Sequence, residues 1–186
     1  MSNVCTTTVN IHGDAEKMER LFSLIKKGEY LDSFFKRNNI EGEADGYIVF
    51  VDEAWNNIEI QTKNSPSYKT IVALAKWADV KFCAYAEEPS SETYEVYDPD
   101  GFGDFAEIKY HLSWYLKGTD ANDALGLGNL EWYEHEFDEK SLLEMVADVS
   151  GVEKIENAES GLKILLGMRK DKDSQIILTE IVNVAA

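Results

Sequence analysis

The side chains of the 186-residue chain best suited to bind a transition metal, or to act as nucleophile or base, are Cys5, His12, Cys83, His111 and His135. No two of them stand in a Cys-x-x-Cys, a His-Glu-x-x-His or any other close ligand spacing, so the pattern predicts no metal centre and no cofactor. Cys5 and Cys83 fall in segments that read as central strands, where a free thiol packs as a small hydrophobe. The run Asp98-Pro99-Asp100-Gly101-Phe102-Gly103-Asp104 has the oxygen density and the glycines of a calcium loop. Such a loop between helices closes on a bidentate Glu, and Lys109 stands at that position, so an acidic hairpin turn is the expectation. Glu134-His135-Glu136 suggests acid–base chemistry. On a strand, however, the glutamates project to one side and His135 to the other, which predicts solvated glutamates around a partly buried histidine. No Gly-x-Ser-x-Gly, phosphate loop or dinucleotide fingerprint is present, and Leu125-Gly126-Leu127-Gly128 reads as a flexible loop. No catalytic residue is assigned.

Charge is the informative feature. Lys and Arg total 18 against 35 Asp and Glu, a formal charge of −17. Residues 82–108 hold Glu87, Glu88, Glu92, Glu95, Asp98, Asp100, Asp104 and Glu107 with no Lys or Arg. Residues 118–139 hold Asp120, Asp123, Glu131, Glu134, Glu136, Asp138 and Glu139, again without a base. With Lys109 and Lys117 between them, residues 82–139 carry −13 of the total and the rest of the chain −4. This balance argues against direct nucleic-acid binding, which neutralises phosphates with Lys and Arg, and against adhesion to an anionic membrane. No apolar run is long enough to span a bilayer, and Met1-Ser2-Asn3-Val4-Cys5 opens no charged-then-apolar secretory signal. Two cysteines are too few for a disulfide scaffold. A soluble, cytoplasmic protein is expected.

The elements that must position these residues follow from periodicity. Residues 4–11 are rich in β-branched side chains and read as a strand. Met18, Leu21, Phe22 and Ile25 share one face of a helix over 14–27, with Asp14 as N-cap and Gly28 as stop. Leu31, Phe34 and Phe35 suit a short further helix over 30–37. Residues 47–52 and 57–62 pair as a hairpin about Asn56-Asn57. Ser65-Pro66 opens a helix over 66–78 carrying Tyr68, Ile71, Val72 and Ala75, and 80–86 is a strand. This βα–ββ–αβ order predicts an α+β, ferredoxin-like βαββαβ antiparallel sheet with its helices on one face. In the second half, 93–97 reads as a short strand, 106–116 as a long half-buried strand and 130–137 as another strand. Asp138 caps a helix with Leu142, Leu143, Val146 and Val149 inward, closed by Gly151. Residues 161–169 and 174–184 suit a terminal hairpin around Lys170-Asp171-Lys172-Asp173, with a helix over 159–169 as the alternative. One α+β domain over 1–186 is expected, a ferredoxin-like half over 1–90 and an acidic extension over 91–186 that continues the sheet.

Three stretches carry a family resemblance. Asn3-Val4-Cys5 leads an alternating strand to Ile11-His12-Gly13-Asp14. Ile58-Glu59-Ile60-Gln61-Thr62 precedes Ser65-Pro66, and a strand ends in Tyr85-Ala86-Glu87-Glu88-Pro89. Over residues 1–90 the chain resembles the YubB ferredoxin-like family, small proteins encoded mostly by plasmids, phages and other bacterial mobile elements. The resemblance implies the ferredoxin-like fold and a mobile-element origin; it transfers no catalytic residue.

Two readings of the acids stand side by side. One is a solvated face that aids solubility. The other is an interface for a basic partner, since Tyr94, Tyr97, Phe102, Phe105, Trp132, Tyr133 and Phe137 interleave with the acids and charged rims around aromatics are typical of interfaces. The second reading assigns partner binding to Glu87, Glu88, Glu92, Tyr94, Glu95, Tyr97, Asp98, Asp100, Phe102, Asp104, Glu131, Glu134 and Glu136. It makes the protein a non-catalytic interaction module, in its sharpest form a mobile-element inhibitor that competes with nucleic acid for a basic groove of a host defence enzyme. The alternative is an enzyme or small-ligand-binding domain using His111 or His135 with nearby carboxylates.

Overall fold

The computed structural model describes residues 3–115, 132–168 and 175–184. The chain groups into two compact units, Met1–Ala106 with Val182–Ala186 and Glu107–Ile181. Both combine helices with sheet, so the expected α+β class holds.

The first unit contains strands β1 (Val4–His12), β2 (Tyr47–Asp52), β3 (Asn57–Lys63), β4 (Lys81–Glu88) and β5 (Thr93–Tyr97), and helices α1 (Ala15–Leu24), α2 (Leu31–Asn38) and α3 (Tyr68–Ala78). The last strand of the chain, β9 (Val182–Val184), completes it. The strand order is β2-β3-β1-β4-β5-β9. All neighbours are antiparallel except β5 and β9, so the four strands expected in one antiparallel sheet are found in one. On β1 the odd residues Cys5, Thr7, Val9 and Ile11 are buried. Val9 and Ile11 join Ile58, Ile60, Phe82 and Ala84 in a core that also takes Met18, Leu21 and Phe22 of α1, Phe34 and Phe35 of α2, and Ile71, Leu74 and Ala75 of α3. All three helices therefore cover one sheet face, as the helical spacing of these residues requires.

Two helix boundaries differ from expectation. α1 ends at Leu24, because Ile25 is buried in an extended conformation and the chain then turns to the β2 edge. There Gly28 N–H donates to Ile48 O and Ile48 N–H to Glu29 O. α3 starts at Tyr68, not at Pro66: the Thr62 hydroxyl donates to Ser65 O at 2.6 Å, which holds Ser65-Pro66 in the loop.

The second unit is a three-stranded antiparallel sheet in the order β7 (Trp132–Phe137), β6 (Tyr110–Tyr115), β8 (Gln175–Glu180), with helices α4 (Glu139–Ser150) and α5 (Ala158–Gly167). Its core is Leu112, Trp114, Phe137, Leu142, Met145, Val146, Val149, Ala158 and Leu165. Asp138 caps α4 as expected, accepting from Ser141 N–H at 2.9 Å. The expected hairpin over 161–184 is replaced. Asn157 accepts from Ser160 N–H and opens α5. Gly161, read as a helix breaker, lies inside α5, where a Cβ would meet Val146 of α4 at 3.5 Å, an ordinary van der Waals contact. The expected extension of one sheet by the whole second half is also corrected: only β5 and β9 add to the first sheet, and β6, β7 and β8 form their own. β6 is shorter than the predicted 106–116, since residues 103–106 form a turn closed by Ala106 N–H to Gly103 O. The glycine loop over 118–128 and the turn at 170–173 lie outside the described residues. Among the described residues, no helix is long and apolar enough to cross a membrane.

Candidate acidic interface

The chain leaving β5 forms a strap, residues 98–106, laid over the sheet face opposite the helices. On β4, Phe82 through Ala86 are all buried, although only alternate residues can face the helices. Cys83 and Tyr85 point away from the helices, and the strap covers them: the Tyr85 and Phe105 rings lie 5.9 Å apart. The Asp98 carboxylate closes the strap's turn, accepting from Phe102 N–H at 3.0 Å and Gly103 N–H at 2.7 Å. Gly101 and Gly103 have φ of 71° and 77°, the left-handed region that the turn requires. Partial burial opposes the charge on Asp98. The N–H donors of Gly103, Phe102 and Gly101, with the Cys83 thiol, outweigh it and hold the carboxyl below its ordinary range.

The other strap acids are tied to the sheet. Asp104 Oδ2 lies 2.7 Å from His12 Nε2, and Asp100 Oδ1 accepts from Lys81 Nζ at 2.8 Å. The Phe102 ring stacks on His12 at 3.9 Å and 11°, with the Lys81 ammonium 5.9 Å from its centroid. What resembles a calcium loop in sequence thus directs its carboxylates at backbone N–H groups, a lysine and a histidine. Among the described residues no group of three His, Cys, Asp or Glu is arranged to hold a metal ion.

At the far end of β4 the acids turn inward. Glu88 is 6% exposed and accepts from the Ser90 and Ser91 hydroxyls at 3.1 and 2.8 Å. Glu95 accepts from the Tyr68 hydroxyl at 3.1 Å. Burial, then the Glu95 charge, pushes the Tyr68 phenol far up. Burial raises the Cys5 thiol, and the charges of Glu88 and Glu95 add to it, against the nearby Thr62 and Thr7 side chains. Cys83 is pushed up to about 11 by burial and the Asp98 charge. Both thiols are therefore protonated packing groups near neutral pH. Of the predicted interface aromatics, Tyr94 is buried and Tyr97 packs between Tyr68 and Phe82, so both serve the core, while Phe102 keeps 39% exposure. Glu87 is half-buried opposite Thr6 and Tyr94, and Glu92 is exposed at the β4–β5 turn.

In the second unit the register answers a question the sequence leaves open. His135 sits opposite Leu112, and Glu134 and Glu136 project to the other face, as alternation predicts. His135 is exposed, not partly buried, with its ring edge-on to Phe137 at 4.8 Å. The histidine that the glutamates do meet is His111, directly across from Glu136 on β6 and 3% exposed. Burial pulls its pKa below the ordinary value, against the charges of Glu136 and Glu134. Residues 111 and 136 carry no sequence signal of pairing; only the strand register joins them. Glu131 lies outside the described residues.

No family model matches the chain, and comparison with curated proteins and with solved structures returns no match.

Proposed function

We propose that the protein is a non-catalytic acidic interaction module that offers carboxylates to a basic protein surface. In the form suggested by its resemblance to mobile-element proteins, it is an inhibitor that occupies the nucleic-acid groove of a host defence enzyme in the cytoplasm. In the same reading the first unit is a ferredoxin-like split βαβ fold, for which the order β2-β3-β1-β4 speaks. The observation that carries the function is the stretch over 82–108, with eight acids and no base, in which Glu92 is left exposed while the strap's Asp98, Asp100 and Asp104 hold the chain on the sheet. A single-sign field speeds association with a basic surface.

The test is capture of binding proteins from bacterial lysate at about 50 and 500 mM salt, where screening separates charge from packing. Wild-type protein should retain a nucleic-acid enzyme at low salt, and Glu92→Lys/Glu107→Lys should lose it. Retention unchanged by the reversal, with matched Glu153→Lys/Glu156→Lys as control, reduces the acids to a solubility device. A second reading, an acid–base site, rests on the His111–Glu136 juxtaposition. It requires a small molecule whose binding shifts the His111 ring resonances.

A further inference from the structure

Away from the strap, an open cavity of about 470 Å³ lies between the start of α1 and the β2–β3 turn. Its floor is apolar, Met18 and Phe22, and its walls include Glu19, Glu53 and Asn56. No Lys or Arg lines it. Glu19 and Glu53 make no ion pair or side-chain hydrogen bond among the described residues. The turn that carries Glu53 is held from both ends. The Asp52 carboxylate accepts from Ala54 and Trp55 N–H at 2.9 and 3.2 Å, and Asn56 O accepts from Ile11 N–H at 2.9 Å. Trp55, beside these lining residues in the same turn, is 81% exposed.

We propose that this cavity binds a guanidinium group on an alkyl stem. Two carboxylates match the forked donors of a guanidinium, and Met18 and Phe22 suit the methylenes behind it. The N-terminus of α1 opposes a cation with roughly half a positive charge. The carboxylates of Glu19 and Glu53, with Glu16 in the first turn, oppose it, while Asp14 at the N-cap is paired with Lys17 at 3.1 Å. The volume is in the range of small-ligand sites and exceeds what a single metal ion needs. The proposal is independent of the acidic strap, because its test uses the isolated chain and small probes.

The guanidinium arrives either on a free small molecule or on an arginine of a partner, and two probes separate these sources. One is agmatine; the other is a capped Gly-Gly-Arg-Gly-Gly peptide, with citrulline in place of arginine as its neutral counterpart. The readout is the amide shifts of Ala15 and Asn56, with Trp55 fluorescence. At least one cationic probe should bind saturably. Tighter binding of agmatine assigns the site to a free cation, and tighter binding of the peptide assigns it to a partner's arginine. Glu19→Gln/Glu53→Gln should weaken the better probe by about tenfold or more, and Glu16→Gln, outside the cavity, by no more than about twofold. Both changes are at exposed positions, and an unaltered amide spectrum elsewhere verifies the fold. No shift up to about 10 mM of either probe, equal binding of the citrulline peptide, or full binding by the double variant overturns the proposal.

Discussion

The strap over 98–106 and the acids of β7 are alike in sequence: dense carboxylates, interleaved aromatics and a histidine within reach. Their structures use these ingredients in opposite ways. In the strap the acids are the fasteners. Asp98 closes a turn, Asp100 and Asp104 meet Lys81 and His12, and the buried groups beneath are Cys83 and Tyr85. On β7 the acids fasten no turn; Glu134 is exposed, and the buried group is the base itself, His111. Acid density therefore says little by itself. What matters is whether a loop turns its carboxylates back on its own N–H groups or a strand projects them across a register.

The largest separation of the two regions should come from Asp98→Ala. It removes a charged acceptor from the exposed Phe102 N–H and the part-buried Gly103 N–H, and hydrogen bonds to a charged group contribute about 1.5–3 kcal/mol. A loss of about 2 kcal/mol in urea unfolding is expected, with faster labelling of Cys83 by a thiol reagent as the strap loosens. Cys5, buried on the opposite face, is the internal reference, and its labelling should not change. Glu134→Ala should stay within about 0.5 kcal/mol. Similar losses from both variants would erase the distinction drawn here.

The two regions should also separate along the pH axis. A histidine unfolds to a pKa near 6.5, and His111 is held below that by burial. Between the two values the unfolded chain binds more protons, so stability rises with pH. His111 thus contributes fully above 6.5, and its contribution is lost as pH falls from there toward the folded value. Asp98, held below 3.8, keeps its contribution down to 3.8 and loses it as pH falls through its folded value. Urea midpoints between about pH 7 and pH 5 should therefore fall for wild type and fall less for His111→Gln. The Asp98→Ala variant should retain the wild-type slope in that window. The groups coupled to the His111 imidazole are Glu136, Glu134 and His135, and the two carboxylates are too few to reverse the direction set by burial.

These contrasts also show what the sequence could and could not disclose. The helix faces of Met18, Leu21 and Phe22, and of Ile71, Leu74 and Ala75, were legible because helical spacing and burial coincide. The Asp138 cap and the Gly151 stop were legible because their chemistry is local. Gly161 misled because one glycine inside a helix costs only about 1 kcal/mol, which the Asn157 cap and the burial of Ala158 and Leu165 against α4 outweigh. The strap was legible only in part: the turn chemistry of Asp98 to Gly103 is local, but its place on the sheet depends on His12 and Lys81, and Asp104 meets a residue ninety-two positions away. Register hid the His111–Glu136 pair in the same way: alternation says which face a residue takes, and nothing local says what stands opposite.

The smallest effects should come from the strap's outer contacts, and they rank by burial. Phe102→Ala removes the stack on His12 and the face offered to Lys81, for which about 0.5–1.5 kcal/mol is ordinary. Lys81→Met keeps the aliphatic stem and removes the Asp100 ion pair together with the distant ammonium over the Phe102 ring. With Lys81 62% and Asp100 31% exposed, that pair is screened by solvent and should contribute less than about 0.5 kcal/mol. Both variants leave the Asp98 turn intact, so Cys83 labelling should rise modestly for Phe102→Ala and hardly at all for Lys81→Met. The order Asp98, Phe102, Lys81 in labelling rate is the sharper result, because it does not depend on whether the whole chain unfolds in one step. A reversed order, with Lys81→Met exposing Cys83 most, would mean that the strap is held by charge from outside and not by its own turn. Raised salt should then loosen it in the wild-type protein as well.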